Sequence, residues 1–225
     1  MSELRFPAII VNFKAYREVE GDRSLRIALE CQTVAEESGV NIMACPPMTE
    51  LSQVARAVKI PVMAQHADPK SPGSATGWTT PEMVKASGAM GTLVNHSEHR
   101  LSQGDIAIVV GACKKVGLRS CICADTAETT GRLSELRPEM LAVEPPELIG
   151  GDVSVTDANP EVVSDAVSAA RKVDASIPVL CGAGVKTGKD VKRALELGAK
   201  GVLLASGVVK SKDPRKALQD LVDLI

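Results

Sequence analysis

Ile177-Pro178-Val179-Leu180-Cys181-Gly182-Ala183-Gly184-Val185 opens a stretch that continues through Val191, Ala194 and Leu195 and closes on Leu197-Gly198-Ala199-Lys200-Gly201-Val202-Leu203-Leu204-Ala205. The two apolar runs at its ends show little alternation of apolar and polar residues, which is how strands buried on both faces of a parallel sheet read. Between them, Val191, Ala194 and Leu195 fall on one face at helical spacing. Leu197-Gly198 then supplies a glycine, able to take the left-handed conformation that ends a helix. The stretch is thus a strand, a helix and a second strand.

The same unit recurs outward along the chain. Apolar runs of the first kind are Ala8 to Phe13, Asn41 to Cys45, Ile60 to Gln65, Gly91 to Asn95, Arg119 to Ala124, Met140 to Val143, Ile177 to Cys181 and Lys200 to Ala205. Helical faces lie between several of them, in Val163, Ala166, Val167 and Ala170 and in Leu218, Leu221, Val222 and Ile225. Ser38-Gly39, Ser87-Gly88 and Val116-Gly117 repeat the stop before a strand. Eight units in 225 residues leave roughly 28 residues each, close to the roughly 30 that a parallel crossover unit needs. The pattern predicts an α/β chain forming a single-domain (β/α)8 barrel over residues 1–225. A doubly wound open sheet shares the pattern, because strand order is not visible in a sequence. No linker or low-complexity segment divides the chain.

Composition narrows the function. The chain is 44% hydrophobic and 24% charged, with 26 basic against 28 acidic side chains. The only aromatics are Phe6, Phe13, Tyr16 and Trp78. Near charge balance and so few stacking groups argue against nucleic-acid binding. No apolar stretch approaches the roughly 20 residues that span a bilayer, and Met1 to Pro7 has no signal-like apolar region after it, so the expectation is a cytoplasmic protein without a membrane partner. Cys31, Cys45, Cys113, Cys121, Cys123 and Cys181 are scattered without paired ligand spacing, which predicts small buried apolar residues and no metal site. Cys121 and Cys123 share one face of their strand.

In a barrel of this kind, function sits where the strands end. That rule selects Asn12 and Lys14, which share a face; Gln65 to Asp68; Asn95 to Glu98; Glu144; Gly182 to Gly184; and Ala205 to Gly207. Lys14 is a cation placed to hold an anionic substrate. His96 opens a dense polar cluster directly after buried chain. Glu144 stands between an apolar strand and Pro145-Pro146-Glu147-Leu148-Ile149-Gly150-Gly151. Such surroundings disfavour its charged form and suit a general base. Two prolines followed by two glycines give a stiff segment with a flexible exit, the composition of a lid. The small-residue turns after the seventh and eighth runs suit phosphate, which backbone N–H groups bind there.

Five motifs in order, Asn12-Phe13-Lys14, Asn95 to Arg100, Ala142 to Gly150, Cys181 to Val185 and Leu203 to Gly207, resemble the triosephosphate isomerase family in the short form typical of archaea. The resemblance covers essentially the whole chain. It implies interconversion of D-glyceraldehyde 3-phosphate and dihydroxyacetone phosphate through an enediolate, in glycolysis and gluconeogenesis, with no metal or organic cofactor. It implies that Glu144 is the base, His96 the neutral electrophile, Lys14 the stabilising cation, Asn12 its positioning partner and Glu98 a carboxylate beside Lys14 and His96. It also implies that Asn12, Lys14, Ile149, Gly150, Gly182, Gly184, Ala205 and Ser206 bind the substrate. Family members build subunit contacts from the loop corresponding to His66 to Thr79, which implies a homotetramer or homodimer and makes Trp78 either an interface anchor or a buried intrachain residue. Ser97-Glu98 reads as a helix start whose positive end would keep His96 neutral. Two departures stand out. The lid exit is Gly150-Gly151-Asp152 instead of Gly-Thr-Gly, and Thr156-Asp157-Ala158-Asn159 replaces Ser-Lys-Ala-Lys. A catalytically idle sugar-phosphate-binding barrel and an isomerase of phosphoribosyl substrates are the alternatives. The joint presence of Lys14, His96 and Glu144 argues against both.

Overall fold

The computed structural model describes residues 4–149, 151 and 154–225. Among these, eight strands form one parallel sheet: β1 (Ala8–Asn12), β2 (Asn41–Cys45), β3 (Met63–Ala64), β4 (Gly91–Val94), β5 (Arg119–Ala124), β6 (Met140–Val143), β7 (Val179–Cys181) and β8 (Gly201–Leu204). Every one lies inside a run predicted from the sequence. Their order is β2-β1-β8-β7-β6-β5-β4-β3, and the two ends meet through a parallel bridge between Ala44 and Val62. That bridge turns the sheet into a barrel and excludes the open doubly wound alternative.

The helices between strands are α1 (Asp22–Ser38), α2 (Leu51–Ala57), α3 (Pro81–Ala86), α4 (Gln103–Val116), α5 (Ala127–Ser134), α6 (Val155–Ala158), α7 (Pro160–Val173), α8 (Gly188–Glu196), α9 (Ser206–Val209) and α10 (Pro214–Val222). Gly39 and Gly117 end α1 and α4 in the left-handed conformation, at φ 76° and 66°. Val163, Ala166, Val167 and Ala170 of α7 are buried as their spacing predicts. Ile225 departs from its predicted face: α10 stops at Val222, and Ile225 is exposed.

Period-2 alternation decides what each strand does. Ile9 and Val11 point outward, into the layer shared with the helices. Ala8 and Ile10 point inward, into a separate core with Met43, Met63, Leu93, Met140, Leu180 and Leu203. Small residues interleave with these large ones, among them Cys121, Cys123 and Ala142. Taking Ile10 out of water contributes on the order of 1.5–3 kcal/mol. All six cysteines are unpaired and buried, as expected. Gly201 is dictated by crowding, since a methyl there would lie 1.9 Å from the Ala8 carbonyl oxygen on the neighbouring strand.

β3 and β7 lose two or more residues from the starts of their runs, each at a proline. Pro61 and Pro178 have no N–H to give a ladder, so β3 and β7 begin after them, although both carbonyls still accept, from the N–H of Ala44 and of Leu141. β3 is the shortest strand and forms one side of the closure.

Candidate active site

The side chains picked out in the sequence converge at the C-terminal ends of the strands. Asn12 ends β1 and Lys14 follows two residues later; both line a cleft with His96, Glu144, Ile149, Gly184, Ala205 and Ser206. Lys14 has a left-handed backbone, at φ 52°, which costs a residue with a Cβ on the order of 1–3 kcal/mol unless its surroundings enforce it. Two contacts enforce it. The Lys14 N–H donates to Asn12 Oδ1 at 3.0 Å, and the Gln65 side-chain amide donates to the Lys14 carbonyl at 2.9 Å. The same amide reaches the Cys45 carbonyl at 3.2 Å, so Gln65 ties the first loop to the closing strands. The Lys14 ammonium lies 2.7 Å from Glu98 Oε1.

His96 is buried and its tautomer is fixed by its own loop. Asn95, at φ 62°, anchors that loop by donating to the Cys123 carbonyl at 3.0 Å and accepting the Leu101 N–H at 3.0 Å. The Glu98 N–H donates to His96 Nδ1 at 3.2 Å. A nitrogen that accepts a hydrogen bond carries no proton, so the neutral ring holds its proton on Nε2. Burial pushes the His96 pKa down to about 4, helped by Lys14 and Arg100 and opposed by Glu98. The predicted helix start is absent. Ser97 and Glu98 form a turn and α4 begins only at Gln103, so burial and nearby cations, not a helix dipole, keep this imidazole neutral.

Glu144 follows β6, its N–H bonded to the Ala124 carbonyl at 2.8 Å. Its carboxylate is buried, and Oε2 has no hydrogen-bond partner among the described residues. Burial raises its pKa to about 7, against the lowering effects of a hydrogen bond from the Cys123 thiol and of the Lys14 charge. Oε2 lies 3.5 Å from His96 Nε2. With the imidazole neutral this is a meeting of two reactive groups, not an ion pair. The carboxylate is held ready to take a proton near neutral pH, and a polarised N–H stands beside it.

The remaining predicted residues divide. Gly184, Ala205, Ser206 and Ile149 line the cleft as expected. Gly182 does not. It is buried behind Glu144, where a methyl would lie 2.8 Å from both Cγ and Oε1 of that residue, so it makes room for the carboxylate instead of lining the substrate cleft. Gly150, like Asp152, lies outside the described residues. Ahead of it, Pro146–Leu148 make a single 3-10 turn. Trp78 is 44% exposed, with the Lys70 ammonium 4.6 Å above its ring, which removes the buried intrachain alternative.

Sequence reasoning assigned no role to Gln65 or Asn95 and treated Cys123 as filler. Gln65 lies 51 residues from Lys14, a pairing that only closure of the barrel creates. A polar residue ending an otherwise apolar run was the available signal.

A family model described as triosephosphate isomerase matches residues 7–225. The chain is 44% identical over 219 residues to a triosephosphate isomerase of Methanosarcina acetivorans, covering 97% of this chain and 99% of the relative. It is 46% identical over 217 residues to one of Methanocaldococcus jannaschii, covering 96% and 99%, and 43% identical over 226 residues to one of Methanobacterium bryantii, covering 100% of both.

Proposed function

The chain belongs to the triosephosphate isomerase family, and from that premise we propose that Glu144, His96 and Lys14 interconvert D-glyceraldehyde 3-phosphate and dihydroxyacetone phosphate in this cleft. The observation that carries the assignment is the buried Glu144 carboxylate, its Oε2 unpartnered and 3.5 Å from His96 Nε2.

Glu144 takes the proton from the carbon next to the substrate carbonyl. The electron pair of that C–H bond becomes the carbon–carbon double bond of an enediolate. His96 donates its Nε2–H to the carbonyl oxygen as that oxygen gains charge, and the Lys14 ammonium faces the same developing anion. The glutamic acid then returns its proton to the neighbouring carbon, the proton of the hydroxyl on the other oxygen passes to the first oxygen by way of His96 Nε2, and the double bond moves to the oxygen that lost it. A carboxyl with a pKa of about 7 suits both halves, because it accepts and gives up a proton at similar cost near neutral pH. Asn12 and Gln65 set the backbone of Lys14, and Glu98 holds its ammonium.

The turns containing Gly184 and Ala205-Ser206 receive the phosphate, together with Gly150 and Ile149 of the lid. The barrel's single closed sheet supports reading residues 1–225 as one domain. The half-exposed indole of Trp78 supports a homotetramer or homodimer, and six buried unpaired thiols support a cytoplasmic location. No described helix is long and apolar enough to cross a membrane.

Proton transfer through Glu144 is tested by running dihydroxyacetone phosphate in D2O and reading deuterium on its hydroxymethyl carbon by NMR. Incorporation of deuterium is expected, and its loss in Glu144→Gln. Turnover that leaves this carbon fully protonated would contradict the enediolate route.

A further inference from the structure

At the N-terminal end of the barrel, opposite the catalytic cleft, a cavity of about 270 Å³ opens between the end of α7, the start of β7 and the turn from α8 into β8. Its apolar wall is Val167, Ile177 and Val179, all buried, with the half-buried ring of Phe6. Arg171 and Lys200 line it as well, and among the described residues around it there is no carboxylate. An apolar recess edged by cations without counter-charge suits an organic anion.

The guanidinium has a fixed place on this wall. A methyl at Gly198 would lie 3.4 Å from Val167 Cγ1 and 3.7 and 4.0 Å from the two terminal nitrogens of Arg171. The planar cation therefore lies beside a buried valine methyl, across a glycine whose φ of 96° keeps a side chain out of the space. Neither the Arg171 guanidinium nor the Lys200 ammonium has a hydrogen-bond or ion-pair partner among the described residues. Other donors nearby are spent. The Ser176 N–H and hydroxyl both go to Asp174 Oδ1, at 2.9 and 2.6 Å. The Gly198 N–H goes to the Leu195 carbonyl at 3.0 Å, and the Lys200 N–H to the Val179 carbonyl at 2.8 Å. What the cavity offers a ligand is apolar surface and positive charge.

We propose that this cavity binds a small amphiphilic carboxylate, with an apolar body the size of a phenyl ring against Val167, Ile177 and Val179 and its carboxylate on the Arg171 guanidinium. The guanidinium fork matches a carboxylate with two parallel hydrogen bonds. A triose phosphate, polar along its whole length, has nothing to set against such a wall. The site is therefore separate from the isomerase cleft and does not rest on the reading of that cleft.

The test is an amide and methyl NMR titration of the full chain with phenylacetate, beside uncharged phenylacetamide and inorganic phosphate. Saturable shifts at the Gly198 N–H and at the Val167 and Val179 methyls are expected with phenylacetate. Phenylacetamide should bind about tenfold more weakly, as should phenylacetate to Arg171→Gln, the scale of a hydrogen bond between charged groups. Arg171→Lys should recover part of the affinity, and added salt should lower it. Circular dichroism melts and unchanged isomerase kinetics confirm that the variants are folded. No saturable shift at these residues up to about 10 mM, where a ligand with a Kd of about 1 mM is mostly bound, would overturn the proposal. Equal binding of phenylacetamide or of phosphate would also overturn it, because charge or the apolar wall would then not select the ligand. Shifts that follow dissociation of copies of the chain in sedimentation would assign the cavity to an interface instead.

Discussion

Glu144 Oε2 lies 3.5 Å from His96 Nε2, with both side chains buried and Nδ1 of the imidazole occupied by the Glu98 N–H. The hydrogen bond on one ring nitrogen places the proton on the other, toward the Glu144 carboxylate. One loop therefore sets both the tautomer of His96 and, through Glu98, the position of Lys14.

The pH dependence of kcat/KM follows from this pair. Glu144 titrates at about 7 and His96 at about 4, so lowering the pH protonates the base long before it charges the imidazole. kcat/KM is expected to fall roughly tenfold per pH unit below about 7 as Glu144 takes up one proton, and more steeply below about 6, where the substrate phosphate also titrates. A rate profile on the full chain checks this. An acid limb that appears only near pH 4 would assign it to His96 instead.

Glu144 also costs stability, with a definite sign. Its carboxyl is raised from 4.5 to about 7, so between those values the unfolded chain has lost a proton that the folded chain keeps. The stability associated with the group is present below 4.5 and is lost as pH rises through about 7. Glu144→Gln should therefore be more stable than wild type at about pH 8, by on the order of 2–3 kcal/mol, with the difference vanishing toward pH 4. Urea melts at the two pH values measure it, and a constant difference would contradict the burial argument.

Gly182→Ala should damage catalysis as well as strain the barrel, since the methyl would also lie 2.9 Å from the Leu203 carbonyl oxygen. The added methyl would lie 2.8 Å from Glu144 Cγ and Oε1, and displacing a reacting group by about 1 Å costs on the order of a hundredfold. A large fall in kcat with substrate KM little changed is expected. Near-normal kcat would mean that Glu144 has slack that the packing does not suggest.

Gln65→Ala should loosen Lys14 from a distance. It removes the donor to the Lys14 and Cys45 carbonyls; the Cys45 carbonyl still accepts the Phe13 N–H at 2.9 Å, so the expected stability loss of about 1–3 kcal/mol comes chiefly from the unpaired Lys14 carbonyl. kcat/KM should fall as well, since the left-handed backbone at Lys14 loses one of its two restraints. Steady-state kinetics beside denaturant melts separate the two effects.

The sequence carried the barrel because strands buried on both faces are continuous apolar runs, and four of the eight also follow a glycine stop. It singled out Glu144, His96 and Lys14 because polar and charged residues directly after such runs are conspicuous. Other features depend on contacts between distant parts of the chain. The grip of Gln65 on Lys14 and the thiol of Cys123 on Glu144 exist only once the barrel closes. Gly182 stands among small residues that suit a phosphate turn, yet what it does is steric: it makes room for the Glu144 carboxylate. The helix expected after His96 failed because the Glu98 N–H is used on the imidazole ring in a local turn.

The most direct test is a coupled assay of glyceraldehyde 3-phosphate isomerisation on the purified chain beside Glu144→Gln and His96→Gln. Fast turnover by wild type is predicted, together with its near abolition in Glu144→Gln while 2-phosphoglycolate still binds. Undiminished turnover in Glu144→Gln would contradict the assignment of the base, and with it the account of the cleft.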